Sequence, residues 1–183
     1  MADDLRAALV KTDVIAVGEC GIDLYYQVGR IAQLIALRAQ LLLAAHLRLP
    51  VVLHCREAAI GDTVARRLLV EELRGSVPAG HPLIWHSVAL PAEDVSSLTA
   101  EFPNLYFGVG PLSVRRNFNR HKGMLRAVPL ERLLLETDAP YMATAPTKVR
   151  GLLHRVARVR QLPPALLRDV LRANAARVLP ELL

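Results

Sequence analysis

The sequence predicts an α/β fold in which parallel strands alternate with helices. Short apolar runs typical of buried strands recur along the chain, and segments with helical periodicity separate most of them. Four of these runs end in side chains that can bind a metal ion: Glu19, His54, His86 and the pair Glu136 and Asp138. Because parallel strands place their C-terminal ends at one edge, these side chains indicate an active site on a parallel sheet or barrel.

The first half of the chain supplies two of these strands. Apolar residues with helical spacing predict helices at residues 3–11 and Arg30–Leu47. Continuous apolar runs predict buried strands at residues 14–19 and, beginning at a proline, at residues 50–54. A Gly-Asp start signal precedes a further predicted helix at residues 62–73.

The second half repeats the alternation. A strand is predicted at residues 83–86, a helix beginning after a proline at Ala92–Glu101, and a strand at residues 104–109. The apolar run at residues 133–138 is predicted to be a strand, and its two-residue spacing would place Glu136 and Asp138 on one face. Pro140 would end its pairing.

Two closing helices are predicted at residues 148–160 and 164–179, which brings the count to five strands. A complete eight-stranded barrel takes about 250 residues, more than this chain has. No linker or internal repeat divides the chain, so residues 1–183 are predicted to be one domain.

Composition and charge constrain the class of protein. An apolar content of 52% with 22% charged residues excludes a disordered chain. The formal charge of +6 suits a polyanionic partner such as nucleic acid, although arginines on solvated helix faces give the same count.

Location is predicted from the chain start and the cysteines. The polar, acidic start is not typical of a signal peptide, and no uncharged apolar run reaches the ~20 residues of a membrane span. Cys20 and Cys55 are interpreted as reduced thiols. We therefore expect a cytoplasmic location, or a nuclear one in a eukaryote, with no membrane partner.

The strand-end residues suggest metal chemistry. Glu19, His54 and His86 provide one carboxylate and two imidazoles, a set that binds catalytic zinc and also admits manganese or iron. Asp138 is a candidate fourth ligand or a base for metal-bound water. Each residue alone has a structural explanation, such as a hydrogen-bonded histidine or a turn-capping carboxylate, but four at four strand ends favour a site. The remaining histidines are predicted to lie on the surface, at His46, His81, His121 and His154.

Polar residues at the same rim are candidate phosphate contacts. Arg56 suits bidentate phosphate binding or a surface salt bridge. Arg115, Arg116 and Asn117 form a second candidate, for which a solvated basic loop is the alternative. Gly108 and Gly110 are predicted to allow a tight turn where the chain leaves the strand, rather than to form a phosphate-binding loop.

Several segments resemble the TatD family of metal-dependent deoxyribonucleases. Residues 17–23 (VGECGID) resemble the family motif GE-x-GLD, and residues 49–58 (LPVVLHCREA) resemble its LPVxIHxREA stretch. Residues 130–141 contain the LLxETDAPY signature almost letter for letter. Residues 40–44 and 174–179 resemble two helical elements of the family, so the resemblance covers most of the chain.

The resemblance implies a TIM-barrel-like fold that hydrolyses DNA phosphodiesters, often from the 3′ end, with magnesium, manganese or zinc. Glu19 would bridge two metal ions, His54 and His86 would hold one, and Asp138 would help to hold the site, with Glu19 and Asp138 as catalytic residues.

The chain departs from the family pattern in two places. The family begins with a strand carrying an H-x-H pair that ligates the second metal ion, and no such pair occurs here. Residues 86–90 read HSVAL where the family has HCFSG. We therefore expect an incomplete barrel lacking about the first three strands, one metal ion rather than two, impaired activity, and self-association through an open barrel edge. The alternatives are a non-catalytic binding protein built on a degenerate barrel and an amidohydrolase-like enzyme acting on a small ester or amide.

Overall fold

The structure is a computed structural model that describes residues 14–26, 28–114 and 118–180. The predicted helix at residues 3–11 lies outside this range, as do Arg115, Arg116 and Asn117. The chain divides into two compact units, Met1–Leu83 and Ile84–Leu183. The single domain inferred for residues 1–183 stays a prediction.

The first unit is built on two parallel strands. It contains β1 (Val17–Asp23), α1 (Arg30–Leu47), β2 (Val51–Arg56) and α2 (Val64–Ser76). Its core consists of apolar side chains with no more than 1% of their surface exposed, namely Ile22, Leu37, Leu41, Leu53, Leu69 and Leu73. Burial of one face of each helix, rather than intrinsic helix propensity, is the main stabilising term for such elements.

The first strand differs from its prediction. The predicted strand at residues 14–19 ends too early, because β1 continues to Asp23 and Glu19 lies inside it. Gly21 is paired with His54, and a Cβ atom at Gly21 would overlap the His54 carbonyl group. Glycine is therefore needed here for two strands to approach closely, whereas in the sequence it resembles a strand end.

Helix α1 has two apolar faces. Leu37 and Leu41 are buried, but Ile31, Ile35 and Leu42 are at least half exposed, so only part of the apolar surface of this helix lies in the core. The exposed residues are spaced by four and seven positions and thus share one side of the helix. By length and composition alone α1 is long and apolar enough to cross a membrane, which is also true of many core helices.

The second unit contains the remaining helices. β3 (Leu83–Trp85) begins at the unit boundary, and α3 (Ala92–Glu101), β4 (Leu105–Val109), α4 (Phe118–Ala127), β5 (Leu133–Leu135), α5 (Val149–Arg160) and α6 (Pro164–Val178) follow. β4 and β5 pair in parallel. Asn174 is buried in α6, and its amide nitrogen donates to the carbonyl groups of Leu130 and Leu133 at 2.8 Å each. These bonds fix the last helix against the start of β5.

The predicted α/β class with parallel strands is confirmed. Both strand pairs described above are parallel, and five strands lie in the described residues, against eight in a complete barrel. The bounds of α1 and α3 match their predictions, whereas α4 was not predicted.

Candidate metal centre

His54 lies between two carboxylates in the first unit. Its Nε2 atom is 3.0 Å from Asp23 Oδ2, and its Nδ1 atom is 3.8 Å from Glu19 Oε2. Residues 19, 21 and 23 alternate along β1, and Gly21 pairs with His54 on β2. Because alternate residues of a strand share a face, this register places one carboxylate on each side of the imidazole.

Asp23 also holds the turn that follows β1. Its Oδ1 atom accepts hydrogen bonds from the backbone N–H groups of Tyr25 at 2.9 Å and Tyr26 at 3.4 Å. The sequence analysis gave Asp23 no role. The available signal was the period-two spacing of Glu19, Gly21 and Asp23, which is visible only if the strand is extended through the glycine.

His86 has the same arrangement in the second unit. Its Nδ1 atom is 3.0 Å from Glu136 Oε1, and its Nε2 atom is 3.8 Å from Asp138 Oδ1. The Ser87 backbone N–H also donates to Glu136. A Cβ atom at Gly108 would overlap the Glu136 carboxylate, so this glycine makes room for a side chain. Gly108 was predicted to allow a tight turn at the strand end, but in the structure it is needed because a larger residue would overlap Glu136.

Asp138 reaches His86 from a loop. β5 ends at Leu135, so the prediction that Glu136 and Asp138 share one face of a strand is wrong. Asp138 has φ 52° and Ser87 has φ 48°, in the left-handed region that residues other than glycine, asparagine and aspartate seldom adopt. Such conformations cost about 1–3 kcal/mol each and cluster at functional sites.

Both histidines thus show one pattern: a carboxylate at hydrogen-bonding distance from one ring nitrogen and a second carboxylate 3.8 Å from the other. A distance of 3.8 Å is too long for a hydrogen bond. Two ligands that lie about 2.1 Å from one tetrahedral ion are roughly 3.4 Å apart, which is close to this spacing. The donor chemistry and the spacing fit a divalent cation, and a carboxylate behind a ligating histidine is the usual outer partner.

The structure brings the four predicted ligands together as two pairs, Glu19 with His54 in the first unit and His86 with Asp138 in the second. The outer carboxylates are Glu136, which was predicted only as a metal-competent side chain paired with Asp138, and Asp23, which sequence reasoning missed.

Arg56 is exposed at the end of β2, and its guanidinium carbon lies 3.7 Å from the centre of the Tyr25 ring. Glu57 accepts hydrogen bonds from the backbone N–H groups of Ala65 and Arg66 at the start of α2. Arg56 therefore faces an aromatic ring at this rim, whereas Glu57 caps a helix.

Two cysteines and one further histidine near the strands have pKa values shifted by burial. Burial raises the pKa of both Cys20 and Cys55 to about 12, and both are free thiols. His81 was predicted to be a surface residue, which is wrong: it is 7% exposed and donates to the Leu49 carbonyl. Burial lowers the pKa of His81. Neither cysteine has the depressed pKa of a reactive thiol.

Parallel α/β architecture with histidines and carboxylates at the strand ends is typical of the class of metal-dependent hydrolases. A family model described as "TatD related DNase" matches residues 1–180. The chain belongs to this family.

Curated relatives carry related names. The chain is 34% identical to the 3′-5′ ssDNA/RNA exonuclease TatD of Cronobacter sakazakii, with 95% of this chain and 68% of the relative covered. It is 36% identical to the enzyme of the same name from Edwardsiella piscicida, with 77% and 52% covered. A human relative named 3′-5′ RNA nuclease TATDN2 is 29% identical, with 96% and 24% covered. The chain thus spans about two thirds of the first relative and about half of the second.

Solved structures share the fold. A TatD-family hydrolase from Entamoeba histolytica matches with a TM-score of 0.83 at 18% identity, covering 97% of this chain and 67% of that one. YJJV, a TatD homologue from Escherichia coli, matches with a TM-score of 0.81 at 25% identity, covering 98% and 70%. The predicted TatD-type fold is confirmed.

Proposed function

We propose that this chain is a metal-dependent nuclease that hydrolyses phosphodiester bonds of DNA with metal-activated water. The observation that carries the proposal is the repeated pattern at His54 and His86, each with one carboxylate at 3.0 Å and another at 3.8 Å. The names of the relatives, which are exonucleases and an RNA nuclease, support a nucleic acid as the substrate.

The residues proposed to hold the metal are Glu19, His54, His86 and Asp138. A bound divalent ion would lower the pKa of a water molecule and polarise a phosphoryl oxygen. Asp138, on its loop, is also proposed to accept the proton of the attacking water.

Two outer carboxylates are proposed to orient the imidazoles. An ionised carboxylate can only accept hydrogen bonds, so Asp23 fixes the His54 tautomer with the proton on Nε2 and the lone pair on Nδ1, facing Glu19. Glu136 holds His86 in the same way through Nδ1.

The positive charge of the chain supports a polyanionic substrate. A net charge of +6 attracts phosphates irrespective of base sequence, and the exposed Arg56 lies at the same rim as His54. Magnesium, manganese and zinc are the proposed ions, and one ion per chain is the proposed number.

RNA is a second candidate substrate. The relatives from Cronobacter and Edwardsiella are named for both ssDNA and RNA, and the human relative for RNA. Because a phosphodiester bond is common to both polymers, the metal chemistry alone does not discriminate between them.

Cleavage of end-labelled strands tests the proposal. Single- and double-stranded DNA and single-stranded RNA, labelled at the 3′ or the 5′ end, would be incubated with Mg²⁺, Mn²⁺ or Zn²⁺. We expect metal-dependent cleavage of DNA by the wild type and its loss in His54→Ala and Asp138→Ala. The matched control is His46→Ala, which removes an exposed histidine on α1.

The outcomes separate the candidate functions. Preference for RNA would replace DNA as the substrate while retaining the chemistry. If the folded wild type cleaves no strand with any ion, the hypothesis of a non-catalytic binding protein is favoured. Zinc-dependent turnover of a small ester without cleavage of nucleic acid would favour the amidohydrolase-like reading.

A further inference from the structure

Three exposed side chains form an aromatic and cationic surface at the end of β1 and β2. This surface, here termed the tyrosine platform, consists of Tyr25, Tyr26 and Arg56. The two tyrosines are 57% and 60% exposed, and their rings lie edge to face with 5.2 Å between centroids. The Arg56 guanidinium carbon is 3.7 Å from the centre of the Tyr25 ring and 5.5 Å from that of Tyr26.

The backbone beneath the platform is held by several hydrogen bonds. Asp23 Oδ1 accepts from the N–H groups of Tyr25 and Tyr26. The Gln33 side chain accepts from the Asp23 N–H at 2.7 Å and donates to the Asp23 carbonyl at 2.9 Å. Strand pairing sets Arg56 beside Asp23. The backbone beneath the platform is therefore held in place, which lowers the entropy cost of ordering this segment on binding.

One carboxylate, that of Asp23, contacts both the backbone of the platform and a histidine of the candidate metal centre. Asp23 binds the platform backbone through Oδ1 and lies 3.0 Å from His54 Nε2 through Oδ2. The backbone that carries the two tyrosines and the His54 imidazole thus contact the same carboxylate.

We propose that the tyrosine platform binds an unpaired nucleobase by stacking and directs the adjoining phosphate towards His54. Base–aromatic stacking tolerates any base, because every base has a π-face, and arginine adds planar stacking together with a positive charge. A base inside a duplex is covered by its neighbours and must leave the stack first. The platform therefore selects single strands over duplexes. This inference rests on the proposed nuclease function, because it assigns the substrate class of that site.

A binding cycle tests the platform directly. Fluorescence anisotropy would measure the Kd for a labelled oligothymidylate and for an abasic strand of the same length, with EDTA present to prevent cleavage. We expect the wild type to bind the strand with bases about tenfold more tightly, the size typical of base–aromatic stacking. Tyr25→Ala combined with Tyr26→Ala should remove this preference and leave the affinity for the abasic strand unchanged.

Two control variants isolate the aromatic rings. Tyr25→Phe combined with Tyr26→Phe retains the rings and should keep the preference. Ile31→Ala combined with Ile35→Ala removes two other exposed apolar side chains of the same unit, 74% and 63% exposed, and should also keep it. Thermal unfolding of each variant would verify that the fold is retained.

Other outcomes would overturn the inference. If the wild type binds both strands equally, or if the alanine variant loses affinity for both strands by the same factor, the platform does not stack bases. Cleavage with Mn²⁺, measured separately, distinguishes the two proposals. A preference for the strand with bases, without cleavage of any strand, would refute the nuclease proposal and support base binding by the platform. Cleavage with an unchanged KM in the alanine variant would support the nuclease proposal and refute base binding by the platform.

Discussion

Replacement of Asp23 by asparagine should weaken metal binding without unfolding the chain. The Asp23 carboxylate accepts two backbone N–H groups through Oδ1 and faces His54 Nε2 through Oδ2. Asparagine keeps an oxygen for the turn but presents its NH₂ group, a donor, to the imidazole. His54 must then accept at Nε2 and carry its proton on Nδ1, the nitrogen that faces Glu19.

The size of the effect follows from this exchange of tautomers. Loss of a carboxylate behind a ligating histidine costs about 10–100-fold in metal affinity, or roughly 1.4–2.8 kcal/mol. The turn hydrogen bonds to Tyr25 and Tyr26 are retained, so the free energy of unfolding should change by less than about 1 kcal/mol. Metal affinity and stability are thus expected to separate.

Isothermal titration of the metal-free protein with Zn²⁺ or Mn²⁺ would measure the affinity, and urea unfolding the stability. Asp62→Asn is the matched control. Asp62 accepts a hydrogen bond from the backbone N–H of Ala59 at 3.0 Å in a similar exposed turn, and its substitution removes the same charge. An Asp23→Asn variant that binds metal as tightly as the Asp62→Asn control would refute the assigned role of Asp23.

Three further predictions concern the packing of the chain. Gly108→Ala should displace the Glu136 carboxylate and reduce both metal affinity and cleavage, whereas Gly151→Ala, in an open helical position, should raise stability by about 0.5–1 kcal/mol. Calorimetry and the cleavage assay would compare the two variants. Equal behaviour of the two would contradict the steric role of Gly108. Burial lowers the pKa of His81 below its ordinary 6.5, so the folded chain favours the neutral histidine. The resulting contribution to stability should be present above pH 6.5 and be lost as the pH falls below it. In urea unfolding between pH 7.5 and 5.5, the free energy of unfolding should therefore decline less in His81→Gln than in the wild type. Asn174→Ala leaves one buried and one half-buried carbonyl group without their donor and should lower the free energy of unfolding by about 2–4 kcal/mol. Urea unfolding would measure this loss, and a value below about 1 kcal/mol would contradict the anchoring role.

Local sequence signals predicted the helices better than the strand ends. Apolar periodicity set the bounds of α1, and Pro91 marked the start of α3. α4 carries no comparable signal, since four basic residues and Gly123 interrupt its apolar positions. β1 was ended too early because Gly21 resembles a turn residue, although close approach of β2 is what requires it.

The ligand types of the candidate site could be predicted, but the partners of each ligand could not. Polar side chains after apolar runs identified Glu19, His54, His86 and Asp138. The role of Asp23 depends on the register of β1 against β2, which is a tertiary property. The burial of His81 likewise depends on its hydrogen bond to a carbonyl group 32 positions earlier in the chain, which no local pattern reveals.

The strand-end histidines are proposed to bind a divalent ion that hydrolysis requires. The most direct measurement is a single Mn²⁺ titration of chelator-treated protein in which bound metal and cleavage of a labelled single-stranded DNA are followed together. We expect cleavage to rise in proportion to the metal bound by the wild type. The folded variant with His54→Ala and His86→Ala should neither bind metal nor cleave DNA at the same concentrations. Equal cleavage by this variant, or full metal occupancy of the wild type without cleavage, would contradict this proposal.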